Sequence, residues 1–76
     1  MKITWVEGSD EGAEIAVRIE KGAVTVSANR EGLLSLAGQL AALAEAVPGS
    51  HIHYDQYNSL EDGSAEMIIE KVEKIP

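Results

Sequence analysis

A chain of 76 residues without cysteine has room for one domain with one small core, which neither a disulfide nor a thiolate-bound zinc ion can reinforce. Thirteen acidic residues against six basic ones give a net charge of −7, which repels nucleic acids and anionic membrane surfaces and favours basic partners. No apolar run is long enough for a signal peptide or a membrane span, so we expect a cytoplasmic protein.

The first third of the chain alternates apolar and polar residues, which is the pattern of β-strands. Residues 2–7, 14–20 and 23–28 each predict one strand, and residues 8–12 predict a turn. Lys21 and Gly22 predict a tight hairpin in which Gly22 takes a positive φ. The apolar residues expected to point toward the core from the second and third strands are Ile15, Val17, Ile19, Val24, Val26 and Ala28.

Residues 29–47 carry the one sustained helical repeat of the chain. Apolar residues recur there at three- and four-residue steps, so they form one stripe that we expect to pack on the sheet. Asn29 is placed to cap the helix with its side-chain oxygen, and Pro48 and Gly49 predict its end. The leucines of the stripe are Leu33, Leu36, Leu40 and Leu43.

Two further strands are expected at residues 51–55 and 65–73, joined by a polar loop. The resulting order, β-β-β-α-β-β, predicts a single α+β domain over residues 1–76. In it, a mostly antiparallel five-stranded sheet has the helix packed on one face. Nothing remains to cover the other face, where Val6, Ala16, Thr25 and Ser27 would lie. We therefore expect a homodimer in the absence of a partner, formed through that face or through a helix strip of Leu34, Gly38 and Ala41.

His51, His53 and Asp55 follow one another at steps of two, which places their side chains on one face of a strand. Two imidazoles and a carboxylate can bind zinc, and the spacing resembles the His-x-His-x-Asp-His motif of metallo-beta-lactamases. Gln56 stands where that motif needs its last histidine, and the chain is too short for the remaining ligands. A small metal-dependent enzyme is therefore the least favoured hypothesis, and we expect no metal and no cofactor.

Other enzyme classes lack the residues that their chemistry needs. The chain has no cysteine nucleophile, no serine in a nucleophile elbow and no Gly-x-x-x-x-Gly-Lys phosphate loop. Glu61 and Asp62 are paired carboxylates, but they lie in a solvated turn where nothing raises a pKa for acid catalysis. The sequence therefore predicts a protein that is not an enzyme.

Three blocks of sequence resemble a known protein family. They are Asn-Arg-Glu-Gly-Leu-Leu-Ser-Leu-Ala at 29–37, His-Ile-His-Tyr-Asp at 51–55 and Leu-Glu-Asp-Gly-Ser-Ala-Glu-Met-Ile-Ile-Glu at 60–70. In this order and spacing they resemble immunity protein family 32 of bacterial polymorphic toxin systems, over roughly the last two-thirds of the chain. The resemblance implies a cytosolic antidote that binds and blocks a toxin encoded beside it. Many such toxins are nucleases with basic clefts.

The loop after residues 51–55 is where we expect a toxin to bind. Its carboxylates would attract a basic cleft, and an apolar anchor would supply most of the affinity. Tyr57 and Leu60 are the candidate anchors, although either could instead fold back into the core. The expected partner-binding residues are Asp55, Tyr57, Leu60, Glu61, Asp62 and Glu66. The alternative hypothesis is a generic homodimeric interaction module without a toxin partner.

Overall fold

The computed structural model describes residues 12–75, in which four strands and one helix are found. The predicted strand at residues 2–7 lies outside the described residues. The elements form an α+β arrangement, as the sequence predicts. In chain order they are β1 (Ile15–Glu20), β2 (Ala23–Ala28), α1 (Arg30–Ala44), β3 (His51–Tyr54) and β4 (Met67–Glu70).

β1 and β2 form an antiparallel hairpin, with Val17 opposite Val26. At its turn, Lys21 and Gly22 have φ values of 51° and 81°. Two consecutive positive φ angles are characteristic of a type I′ turn, whose twist matches that of the strands. The predicted hairpin and the positive φ of Gly22 are confirmed.

β3 and β4 form a second antiparallel pair, with Ile52 opposite Ile69 and Tyr54 opposite Met67. Backbone bonds extend the pairing beyond the strands. The Lys71 N–H donates to the Ser50 carbonyl at 2.8 Å, and the Gly49 N–H donates to the Lys71 carbonyl at 2.8 Å. The pairing therefore begins just after Pro48.

The prediction of a single five-stranded sheet is wrong. The described strands form two separate two-stranded sheets, β1–β2 and β3–β4. The second edge of β1 explains the difference, because it binds a loop rather than a strand. The carbonyls of Ile15 and Val17 accept hydrogen bonds from the N–H groups of Glu61 and Ala65, at 2.8 and 2.9 Å.

α1 begins where the sequence predicts. The Asn29 side-chain oxygen accepts from the Gly32 N–H at 2.8 Å and from the Glu14 N–H at 3.0 Å, so one cap ties the helix to the start of β1. The helix ends at Ala44, with Glu45 as C-cap, and is thus shorter than predicted. Within residues 12–75 no helix is both long and apolar enough to cross a membrane.

The core is a small aliphatic cluster around one buried tyrosine. Partly buried side chains of β3, β4 and the adjoining segments pack against it. Of the four predicted leucines, Leu36 and Leu43 are buried, whereas Leu33 and Leu40 are 55% and 41% exposed. Helix α1 is therefore rotated about its axis, so that the face it turns toward the core differs from the predicted stripe. The cluster consists of Ile15, Val17, Leu36, Tyr54 and Leu60.

The far end of the β1–β2 hairpin lies outside this core. Ile19, Val24 and Val26 are 61%, 62% and 41% exposed, although they share a strand face with the buried Ile15 and Val17. Their predicted burial is wrong, because the core covers only the end of the hairpin at which β1 begins.

Lys71 binds the C-terminal end of α1. Its Nζ donates to the carbonyl oxygens of Ala44 and Ala46, both at 2.6 Å, and the last turn of the helix contains no basic residue of its own. A cation at this end satisfies unpaired carbonyls and complements the helix dipole.

Replacing Lys71 by methionine should lower the free energy of unfolding by about 0.5–2 kcal/mol. Methionine keeps much of the apolar stem but leaves both carbonyls without their donor. Chemical denaturation measures the loss, and Lys74→Met, which removes an exposed lysine from the same segment, is the matched control. Equal losses in the two variants would show that the Lys71 contacts contribute nothing.

Candidate functional site

Residues 55–66 connect β3 to β4 and carry four carboxylates and no basic residue; we term this segment the acidic loop. Asp55 organises its first turn. The Asp55 carbonyl accepts from the N–H groups of Asn58, Ser59 and Leu60, at 3.3, 3.1 and 2.9 Å, and its Oδ1 accepts from the Tyr57 N–H at 2.8 Å. An aspartate that bonds its own following backbone holds a turn in one conformation.

The second half of the acidic loop is fixed to β1. Besides the two backbone bonds from Glu61 and Ala65, the Ser64 Oγ accepts from the Val17 N–H at 3.2 Å. The Gly63 N–H donates to the Gln56 side-chain oxygen at 3.0 Å, which joins the two halves of the loop. The acidic loop is therefore bound to the hairpin at several points along its length.

The two candidate anchors lie in different environments. Leu60 is 5% exposed and belongs to the core cluster. Of the two alternatives that the sequence left open, an anchor for the partner or a core residue, it is therefore the core residue. Tyr57 is 87% exposed. Its ring is thus presented to solvent by a turn whose backbone is held in place. Tyr57 alone has the position that an anchor for a partner requires.

Three of the six predicted residues line one open cleft. It has a volume of about 440 Å³ and combines two carboxylates, one phenol ring and neutral polar groups. Glu61 and Asp62 are exposed on the same loop but are not part of the lining. The structure therefore places two of the four carboxylates in this cleft, whereas Glu61 lines a separate depression beside the start of β1 and the end of β2. The lining residues are Asp55, Gln56, Tyr57, Gly63, Ser64 and Glu66.

His53 contacts the carboxylates of the cleft. Its Nε2 lies 2.6 Å from Glu66 Oε2 and 3.9 Å from Asp55 Oδ2. The sequence placed His53 with Asp55 but missed Glu66, which the β3–β4 pairing brings to it from thirteen residues away. The register of the β3–β4 hairpin would have indicated this contact, because Glu66 directly precedes the residue that lies opposite Tyr54.

The metal hypothesis combined His53 and Asp55 with His51, which is exposed at the opposite end of β3. In the part of the chain that the structure describes, no group of three or more His, Asp or Glu side chains is arranged to hold a metal ion. The contacts of His53 instead fix the orientation of the Glu66 carboxylate at the cleft wall.

Tyr54 supports the acidic loop from beneath, and its role was not predicted. Its hydroxyl donates to the Gln39 side-chain oxygen at 2.7 Å, and the Gln39 amide donates to the Ser35 Oγ at 3.1 Å. Burial raises the pKa of Tyr54, so the hydroxyl stays protonated and keeps this bond. The bond joins the start of the loop to α1.

Comparison with known protein families gives a match over most of the described chain. The model of a family described as Immunity protein 32 matches residues 23–72. That range contains β2, α1, β3, β4 and the whole acidic loop. No curated protein and no solved structure matches the chain.

Proposed function

Because the chain belongs to the Immunity protein 32 family, we propose that it is an antidote that binds and inhibits a toxin of a bacterial polymorphic toxin system. The observation that carries this proposal is the match over residues 23–72, which includes every part of the acidic loop. We place the protein in the cytoplasm, where it would meet a toxin encoded beside its own gene. Inhibition is by occlusion, with no catalytic step.

The charge of the acidic loop fits a basic partner. Four carboxylates lie within twelve residues, and the chain as a whole carries a net charge of −7. Toxins that cleave nucleic acids need a basic cleft to hold the phosphate backbone, and such a cleft attracts a surface of this kind. We therefore propose a nuclease as the toxin and expect the acidic loop to cover the cleft that its substrate would occupy.

The fixed conformation of the acidic loop favours tight binding. Ordering a loop at an interface costs free energy, and a loop that is already held by hydrogen bonds avoids most of that cost. Asp55 holds the first turn, and the bonds to Ile15 and Val17 hold the second half. Tyr57 then enters the partner as an aromatic anchor whose backbone is already in place.

Complex formation tests this proposal. The chain is mixed with the toxin domain encoded beside its gene and analysed by size-exclusion chromatography, with an unrelated toxin domain as the control. We expect one complex with the neighbouring domain only. If the folded chain forms no complex, the alternative of a homodimeric interaction module, which the exposed apolar residues of β2 favour, replaces the antidote.

Replacing Tyr57 by alanine should raise the dissociation rate of the toxin complex about 30-fold, the effect of losing about 2 kcal/mol at a central anchor. The stability of the free chain should change by less than about 0.5 kcal/mol, because the side chain is 87% exposed. Surface plasmon resonance measures the rate, and Tyr57→Phe, which keeps the ring, is the control. An unchanged rate for the alanine variant would remove Tyr57 from the interface.

Reversing the charges of Glu61 and Asp62 with lysine should lower the association rate about tenfold at low salt and weaken its dependence on salt. The reason is that exposed charges at the rim of an interface mainly steer the encounter. Stopped-flow association at several salt concentrations measures both effects. The matched control is Glu45→Lys with Glu73→Lys, which changes the net charge equally at exposed positions outside the acidic loop. Equal losses in the two double variants would show that only net charge matters.

A further inference from the structure

β2 has one edge paired with β1 and a second edge whose hydrogen-bonding groups point away from the hairpin. The carbonyls of Ile15 and Val17 point toward the acidic loop, away from β2. In an antiparallel pair, two residues directly opposite one another behave alike. Their backbone N–H and C=O groups either all point into the space between the two strands or all point out of it. Ala28 and Val26 lie opposite these two residues, so their own N–H and C=O groups point outward. The backbone groups of Val24 also point outward, because Val24 lies two residues from Val26 on the same strand.

The outward groups of this edge remain unpaired within the described part of the chain. Over residues 12–75, neither Val24 nor Val26 makes a backbone hydrogen bond to anything beyond the β1–β2 pair. The side chains of both residues are also largely uncovered, at 62% and 41% exposure. A strand with free backbone groups and exposed β-branched side chains is a template for another strand.

β2 also lacks the features by which proteins usually protect such edges. Its sequence, Ala-Val-Thr-Val-Ser-Ala, contains neither a charged residue nor a proline. Its register with β1 is continuous over six residues, without a bulge. Charge, proline, bulges and short length are the common ways of preventing edge-to-edge pairing, and β2 has none of them.

We propose that two copies of this chain pair antiparallel through β2 and form a four-stranded sheet in the order β1–β2–β2–β1 across a two-fold axis. The register that matches all three outward residues places Val26 opposite Val26 of the second copy and Val24 opposite Ala28. This inference goes beyond the antidote proposal and does not depend on a toxin. It assigns the pairing to a strand edge, not to a sheet face or a helix strip.

The charges at the two ends of β2 favour a second copy of the chain as the occupant. Glu20 and Lys21 lie at the turn end, and Arg30 and Glu31 lie at the helix end. Each end carries one acidic and one basic residue and therefore no net charge. Antiparallel pairing brings the turn end of one copy to the helix end of the other, and in the register given above Lys21 lies level with Glu31 of the second copy. β2 itself carries no charge, so its pairing with a second β2 brings no like charges together. A two-fold contact of this kind closes on itself and does not extend into a fibre.

The acidic loop lies on the other side of the hairpin from the pairing edge. It binds the edge of β1 that faces away from β2, through Ile15 and Val17. In the paired form the two acidic loops therefore point away from each other, which reduces the repulsion between two chains of charge −7. Both loops stay accessible, and the pair would take up two partner molecules.

Sedimentation equilibrium of the full chain from about 1 to 200 µM, the range of ordinary dimer affinities, tests the proposal. We expect a mass of twice 8.1 kDa at the upper concentrations. Val26→Lys and Val26→Glu should each weaken dimerisation at least about tenfold, because like charges then meet at the axis. An equimolar mixture of the two variants should form the dimer again.

Ile68→Lys, at a position on β4 that is 63% exposed, against 41% for Val26, should dimerise as the wild type does. Circular dichroism establishes that each variant is folded, and the rescue by mixing cannot arise from misfolding. A wild-type chain that stays at 8.1 kDa throughout the range would overturn the proposal. So would a mixture that dimerises no better than the single variants, which would leave the edge for a strand of the toxin.

Discussion

Replacing Leu60 by alanine is expected to lower the free energy of unfolding by about 2–5 kcal/mol. The side chain is 5% exposed and packs in the core cluster with Ile15, Val17, Leu36 and Tyr54. Its removal leaves a cavity at the point where the acidic loop meets the core. A domain of this size has a total stability of about 4–11 kcal/mol, so the loss would be a large share of it.

Chemical denaturation of Leu60→Ala is best compared with the same change at Leu40, which is 41% exposed on α1. The Leu40 variant should lose less than about 1.5 kcal/mol, because less apolar surface returns to water. Equal losses would contradict the placement of a loop residue in the core. In the proposed toxin complex, we therefore expect Leu60 to act only by holding the acidic loop in position.

Replacing Gly32 by alanine should also destabilise the fold, by about 2–3 kcal/mol, although alanine is the better helix former. A Cβ at this position would lie 2.5 Å from the Glu14 carbonyl oxygen and 2.9 Å from the Ile15 Cγ1. The Glu14 carbonyl accepts from the Asn29 N–H at 3.1 Å, so it cannot move away without breaking the junction of β1 and α1. The close approach of helix and strand therefore requires glycine.

The reverse change at an exposed helical position provides the control for Gly32→Ala. Ala42→Gly should cost about 1 kcal/mol through helix propensity alone. Helix propensity alone predicts that Gly32→Ala, which adds a methyl group, stabilises the fold and that Ala42→Gly, which removes one, destabilises it. A loss of stability in both variants would therefore show that packing outweighs propensity at Gly32. If Gly32→Ala raised the melting temperature, α1 could not approach β1 as closely as the structure shows.

Local features of this fold follow from the sequence because they depend on neighbouring residues. Asn29 bonds to Gly32 within one helical turn, and Lys21 with Gly22 closes a two-residue hairpin. The bounds of β2 were predicted without error for the same reason. Strong local preferences at caps and turns decide these features before any tertiary contact forms.

The sheet arrangement was predicted wrongly because alternation shows which residues share a face and not which strands are neighbours. The second edge of β1 binds Glu61 and Ala65 of the acidic loop, and no periodic pattern in residues 56–64 indicates that contact. Helix α1 shows a similar limit. Leucines surround much of it, so periodicity could not indicate that Leu36 would be buried and Leu40 exposed.

The structure brings part of the predicted binding loop together in one cleft, and the use of that loop for binding stays a prediction. Asp55, Tyr57 and Glu66 line one cleft, as residues of one predicted binding loop. Leu60 could not be assigned, since an apolar residue in a polar loop suits the core and an interface equally. The bond from His53 to Glu66 depends on the pairing of β3 with β4, which the sequence did not specify beyond two adjacent strands.

Survival of cells that express the neighbouring toxin domain tests the central claim, inhibition of a toxin through the acidic loop, most directly. Colonies are counted with wild-type chain, with Tyr57→Ala, with Glu61→Lys/Asp62→Lys and with the control Glu45→Lys/Glu73→Lys, at matched expression levels. We predict full protection by the wild type and the control and reduced protection by the two loop variants. Cell death with abundant, folded wild-type chain, or equal protection by all four chains, would contradict the claim.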